Sequence, residues 1–214
     1  MLTRYDWPVI FLAASFSGVA GFVDATGFLL TGGFFVSFMS GNTTRLAIGI
    51  AEGSAAAGFA AALIGLFVGG VVLGTLVGRR NPAKRHPAVL LLVTLLLAAA
   101  AILHALGFGR FVVIPMVLAM GAENTVFAED GDVRIGLTYM TGTLVKLGKR
   151  ITAALLGGDR FGWLRYLLLW VGLLVGAVAG AVAFRYVGAA ALWGAVAIMA
   201  GLTMVAARLD LAGH

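Results

Sequence analysis

Two carboxyl groups, Asp24 and Glu123, and two cations, Arg45 and Lys146, lie inside or beside long apolar runs. Hydroxyl and amide side chains accompany them: Ser37, Ser40, Asn42, Thr43 and Thr44 around the first pair, and Asn124, Thr138, Thr141 and Thr143 around the second. Such groups are costly in hydrocarbon, so where they occur they mark a site for a solute, an ion or a proton. Intramembrane charges usually pair, which makes Asp24 with Arg45, and Glu123 with Lys146, the natural partners. A static ion pair that fixes a polar segment accounts for these residues as readily as a transport role does. The chain carries no nucleophile set, no metal-binding cluster and no nucleotide-binding loop, so neither an enzyme nor a metal or other cofactor is expected. His104 stands alone near the end of an apolar run. The acidic stretch Glu129-Asp130-Gly131-Asp132 lacks the spacing and terminal Glu of a calcium-binding loop and reads as a solvated turn.

The polar groups recur in order. Ser37-Phe38-Met39-Ser40-Gly41-Asn42-Thr43-Thr44-Arg45-Leu46 is followed, at a constant offset of 101, by Thr138-Tyr139-Met140-Thr141-Gly142-Thr143-Leu144-Val145-Lys146-Leu147. Hydroxyl matches hydroxyl, aromatic matches aromatic, and Met39, Gly41 and Arg45 match Met140, Gly142 and Lys146. Gly21 to Ala25 match Gly121 to Thr125 at an offset of 100, and Gly70, Gly74 and Arg79 match Gly176, Gly180 and Arg185 at 106. Matches at a nearly fixed offset signal an internal duplication. The halves differ chemically: Asp24 aligns with Asn124, and Glu123 with Val23.

The elements that position these groups must be membrane helices. The 214 residues are 61% hydrophobic and only 11% charged, with a mean hydropathy of +1.04. A soluble domain is nearer half apolar and a quarter charged. The net charge of +6 is read as cationic loops that orient the helices, and no nucleic-acid partner is expected. Cysteine is absent, which excludes disulfides and thiol chemistry. Clear spans are read at 8–30, 55–78, 88–106, 111–128, 162–184 and 189–207, with motif segments at 34–51 and 134–156.

If the motif segments cross the membrane, the protein has eight crossings and parallel halves. If they dip in and return, it has six crossings and inverted halves. Six crossings put Arg4, the Arg79–Arg85 loop, the cluster Lys146, Lys149, Arg150 and Arg160, and Arg208 all on the cytoplasmic side, and the positive-inside rule favours that arrangement. The expected fold is therefore an all-α integral membrane protein, one transmembrane domain over residues 1–214. It contains two inverted repeats, about 8–107 and about 110–208, each of three transmembrane helices plus one broken or re-entrant motif segment, with both termini cytoplasmic. The break is expected at Gly41 and Gly142. A helix running unbroken through 40–44 and 141–145 would overturn the re-entrant reading, and with it the inverted topology and the midplane site.

The stretches Val23-Asp24-Ala25, 35–45, Gly121-Ala122-Glu123-Asn124 and 137–146 resemble the YoaK-type bacterial membrane proteins. The resemblance covers nearly the whole chain. It implies a bacterial inner-membrane location and a permease of unspecified substrate, and it brings no established catalytic or binding residues. The expected function is a small-solute permease, channel or secondary transporter, whose pathway runs between the paired motif segments. Its expected pathway residues are Asp24, Ser37, Ser40, Gly41, Asn42, Thr43, Thr44, Arg45, Glu123, Asn124, Thr138, Thr141, Gly142, Thr143 and Lys146. The alternative is a non-transporting assembly or regulatory subunit. The expected partners are the lipid bilayer, a small solute or ion, and a second copy packed through glycine-rich helix faces.

Overall fold

A computed structural model describes residues 6–80, 85–129, 132, 133 and 136–208. Arg4, Lys84 and the centre of the acidic turn, Asp130 and Gly131, lie outside the described residues. The architecture is helical: α1 Trp7–Leu30, α2 Met39–Glu52, α3 Ala55–Arg80, α4 Arg85–Ala105, α5 Val113–Glu123, α6 Met140–Leu155, α7 Leu164–Val187 and α8 Leu192–Arg208. A minimal antiparallel pairing joins Ala128 to Val133 and Glu129 to Asp132 between α5 and α6. Among the described residues, four segments are long and apolar enough to cross a bilayer: Trp7–Leu30, Ala55–Arg80, Arg85–Ala105 and Leu164–Arg208, the last containing both α7 and α8.

Glycine sets how the helices pack. An added Cβ at Gly172 would overlap the Ala14 carbonyl, one at Gly176 the Gly18 carbonyl, and one at Gly180 the Phe22 carbonyl. The contacts advance together along both chains, so α1 and α7 run in the same direction at backbone contact. The pair α3 and α5 behaves likewise: Gly70 meets Leu118 and Gly74 meets Ala122. The registers correspond. Gly21 lies against Leu173 and Ala177, and Gly121 lies against Phe67 and Val71, which are the positions reached by the sequence offsets of 100 and 106. Without side chains at these points, helix axes approach until backbone dispersion contacts form, which is what drives association when the surroundings are as apolar as the helix.

Two expectations are corrected. The chain does not break at Gly41 or Gly142: α2 is continuous through 40–44 and α6 through 141–145, which overturns the re-entrant segments as the sequence reading placed them and leaves any reversal to the stretches ahead of Met39 and Met140. Glycine alone weakens a helix without ending it, and here Thr43 and Thr44 bond back to the carbonyls of Met39 and Ser40 in their own helix. Nor is 111–128 one long helix. Its helix proper is the eleven-residue α5, preceded by a 3-10 turn at Gly109–Phe111 and ended at Glu123. At 1.5 Å per residue α5 is about 16 Å long, roughly half a hydrocarbon core.

Candidate functional site

The chain reverses upstream of the first motif. Gly32 and Gly33 have φ of 68° and 113°, a region that residues with a Cβ enter at a cost. The Thr31 hydroxyl donates to the Phe34 carbonyl at 2.8 Å and accepts the Phe34 amide at 3.1 Å, closing the turn. Residues 34–37 then run back along the end of α1. The Phe35 ring lies 4.8 Å from that of Phe28, and Val36 fills the space beside Gly27. The amides of Val36 and Ser37 donate to Asp24 Oδ1 at 2.9 and 2.7 Å.

Helix α2 starts at Met39 and retraces the path outward. Asn42, fully buried, donates from Nδ2 to the Phe35 carbonyl at 2.7 Å and accepts the Phe35 amide at 3.0 Å. One turn later the Arg45 guanidinium lies 4.9 Å from the centre of the Phe34 ring, beside Gly33. Phe34 in turn packs edge-on against Phe59, near the start of α3. The motif is therefore an extended arm and a helix laid side by side, joined at Phe38, with both outer ends near the carboxyl end of α1.

The second copy is held differently. Thr138 Oγ1 donates to Asn124 Oδ1 at 3.0 Å, and Asn124 Nδ2 donates to the Met120 carbonyl at 2.9 Å. The buried Ser17 hydroxyl of α1 donates to the Leu137 carbonyl at 2.9 Å. Ser17 and Asp24 are separated on α1 by about 10 Å at 1.5 Å per residue, so α1 receives the arms of both copies within two turns.

The two reversal points share a cavity of about 280 Å³, lined by 37–40 of the first copy, 138–142 of the second, and Phe67 of α3. Both α2 and α6 begin at this cavity. The first amides of a helix lack intrahelical acceptors, and the start of a helix carries its positive end. The amides of Met39 and Met140 already donate to the carbonyls of Ser37 and Thr138, so the groups that can bind a polar solute in place of water are the hydroxyls of Ser40 and Thr141, both exposed, at the positive helix starts.

Of the sequence-derived residues, Ser37, Ser40, Thr138, Thr141 and Gly142 meet at the cavity, with Asp24 and Asn124 holding Ser37 and Thr138 from behind. Gly41 gives room to the rings of Phe35 and Phe38. Thr43, Thr44 and Thr143 bond back to their own helices, and Lys146 is exposed. The expected charge pairs are not formed: amides take Asp24, Arg45 lies on Phe34, and Glu123 has no hydrogen-bond partner among the described residues. The reason is local, since the reversal frees backbone amides that reach Asp24 before any side chain does. Sequence reasoning missed Ser17 and Phe67 and passed over Phe38, Met39, Tyr139 and Met140 as site residues. The last four were signalled by their own repetition; Ser17 has Val117 as its counterpart and gave no signal.

Comparison with known proteins agrees with a membrane chain. A family described as "Protein of unknown function (DUF1275)" matches residues 12–205. The chain is 38% identical over 201 residues to the UPF0700 transmembrane protein RA0705 of Rhizobium meliloti (strain 1021), covering 94% of this chain and 86% of that one. It is 28% identical over 213 residues to the UPF0700 transmembrane protein YoaK of Bacillus subtilis (strain 168), covering 91% and 92%. No solved structure matches.

Proposed function

The chain belongs to the DUF1275 family of transmembrane proteins, and from that premise we propose that it is a small-solute permease whose pathway passes between the two motif copies. The carrying observation is the cavity that both reversal points line. In this reading the protein sits in a bacterial inner membrane with six crossings, inverted halves and cytoplasmic termini, and it performs no covalent chemistry. Three features support the topology. The first motif doubles back, and Phe59 of α3 packs on Phe34, four residues past the end of α1. The pairs α1 with α7, and α3 with α5, exchange places between the halves at matching register. Six crossings also collect the basic segments on one face. Non-helical backbone at membrane depth is tolerated where protein or a water-filled cavity covers it, and the arms at 34–37 and 136–139 meet that condition. A pathway of this kind binds a solute near the midplane, between half-helices entering from opposite sides.

The test uses the absence of cysteine. Purified protein is reconstituted into vesicles loaded with a defined metabolite mixture, and efflux is followed by mass spectrometry. Ser40→Cys and Thr141→Cys are expected to lose flux on treatment with a bulky thiol reagent, while the parent chain is unaffected. Absence of any flux in the parent chain, or flux insensitive to the reagent at both positions, refutes the proposed pathway.

A further inference from the structure

Glu123 ends α5 with its side chain fully buried and both carboxyl oxygens without a hydrogen-bond partner among the described residues. The elements packed around α5 carry Arg85 and His86 in the first turn of α4, Arg79 and Arg80 in the last turn of α3, and Asp24 on α1. None of them bonds to Glu123. Arg85 reaches the Thr125 carbonyl at 3.4 Å, His86 faces the ring of Phe127 at 6.0 Å, and Asp24 accepts the arm amides. The fold does not need a carboxyl at this position. The repeat counterpart, Val23, is equally buried and apolar. A buried, unpaired carboxyl is costly, and one kept within a membrane marks a functional site, proton relays among the roles such acids serve.

Glu123 also adjoins the pathway. The next residue, Asn124, accepts the Thr138 hydroxyl, and Thr138 lines the cavity. A change of charge at Glu123 would therefore act one residue from the bond that fixes the second motif.

We propose that Glu123 is a proton-binding site that couples proton movement to solute movement, a proposal that rests on the permease reading. The step is acid-base only. A proton from the aqueous phase on one side forms an O–H bond with a carboxylate oxygen. It later dissociates to the other side, with no change of oxidation state.

Two measurements decide it. Infrared difference spectra of the purified chain in nanodiscs, between neutral and alkaline buffer where solvated carboxyls stay ionised throughout, are expected to show a protonated-carboxyl carbonyl component from Glu123. That component should vanish in both Glu123→Gln and Glu123→Val. Both variants should be at least as thermally stable as the parent, because each removes an unpaired buried acid; a purely structural carboxyl would instead leave them less stable. In vesicles loaded with the metabolite mixture, parent flux should rise several-fold under a pH gradient, and in Glu123→Gln the gradient should no longer change the flux. A parent spectrum with no component that Glu123→Gln removes overturns the proton site. Flux indifferent to the gradient in the parent chain, or gradient dependence surviving in Glu123→Gln, overturns the coupling alone. A parent chain that moves nothing in either condition overturns the permease reading and the coupling with it, while the infrared band still decides whether Glu123 exchanges a proton.

Discussion

Asp24 offers a sharp test of how the first motif is held. Its Oδ1 accepts the amides of Val36 and Ser37 at 2.9 and 2.7 Å, and both of those residues are buried. Asp24→Ala removes the acceptor and strands two donors. Leaving a buried donor unsatisfied costs about 1–3 kcal/mol, so the pair should cost about 2–6 kcal/mol. Asp24→Asn keeps an acceptor oxygen in nearly the same place, as Asn124 does in the second half, and should cost no more than about 1–2 kcal/mol. The assay is unfolding of the purified variants in detergent, followed by tryptophan fluorescence, with membrane-inserted yield measured in parallel. The expected order of stability is parent, then Asn, then Ala, at similar insertion. An alanine variant within about 1 kcal/mol of the parent, or an asparagine variant as unstable as the alanine one, would refute the account of Asp24 as the anchor of the reversal.

Two further outcomes separate other parts of the argument. Gly41 and Gly142 are equivalent by sequence but not by surroundings. A Cβ at Gly41 would lie 2.6 Å from Phe38 and 2.9 Å from Phe35, whereas one at Gly142 meets nothing within 4 Å. Gly41→Ala should therefore destabilise by about 1–3 kcal/mol through overpacking. Gly142→Ala should be neutral or gain about 0.5–1 kcal/mol from helix propensity, as measured in the same unfolding assay. Single cysteines at Arg80, Arg160 and Arg208 should label from one side of sealed vesicles and those at Arg110 and Tyr186 from the other; opposite-side labelling of positions 80 and 160 would favour eight crossings.

The duplication was visible because polar residues are scarce in an apolar chain, so seven matching positions within ten stand out against the background. The glycine spacings were visible for the same reason, since Gly70 and Gly74 recur as Gly176 and Gly180. The position of the reversal was obscured. Gly41 and Gly142 sit at the centre of the repeated pattern and drew the break to themselves. The bend instead requires positive φ at Gly32 and Gly33, and nothing in the sequence distinguishes a glycine that needs such a backbone from one that needs space. The short α5 was hidden too. Apolar character continues through Val126 and Phe127, and the helix ends at Glu123 ahead of a tertiary bond between Asn124 and Thr138, fourteen residues apart. Charge pairing failed because it ranks side chains alone, and backbone amides freed by a bend were the nearer donors.

The two copies are alike in sequence and unlike in attachment. The first arm is tied within its own half, by Asp24 to Val36 and Ser37, by Thr31 to Phe34 and by Asn42 to Phe35. The Asn42 position in the second copy is Thr143, which turns back to the Tyr139 carbonyl and leaves its arm unbound. Among the described residues, side chains hold the second arm at two points: Asn124 at Thr138, and Ser17 of α1, from the opposite half, at Leu137. Among the described residues the second arm is thus tied across the two halves, whereas the first is tied within its own. The second arm's inner bond lies beside Glu123, whereas the first arm ends on an acid already satisfied by amides. The exchange of Asp24 for Asn124, and of Val23 for Glu123, thus shifts each half's buried acid by one position. In the first half the acid holds an arm in place; in the second it has no hydrogen-bond partner among the described residues and adjoins the residue that holds the arm.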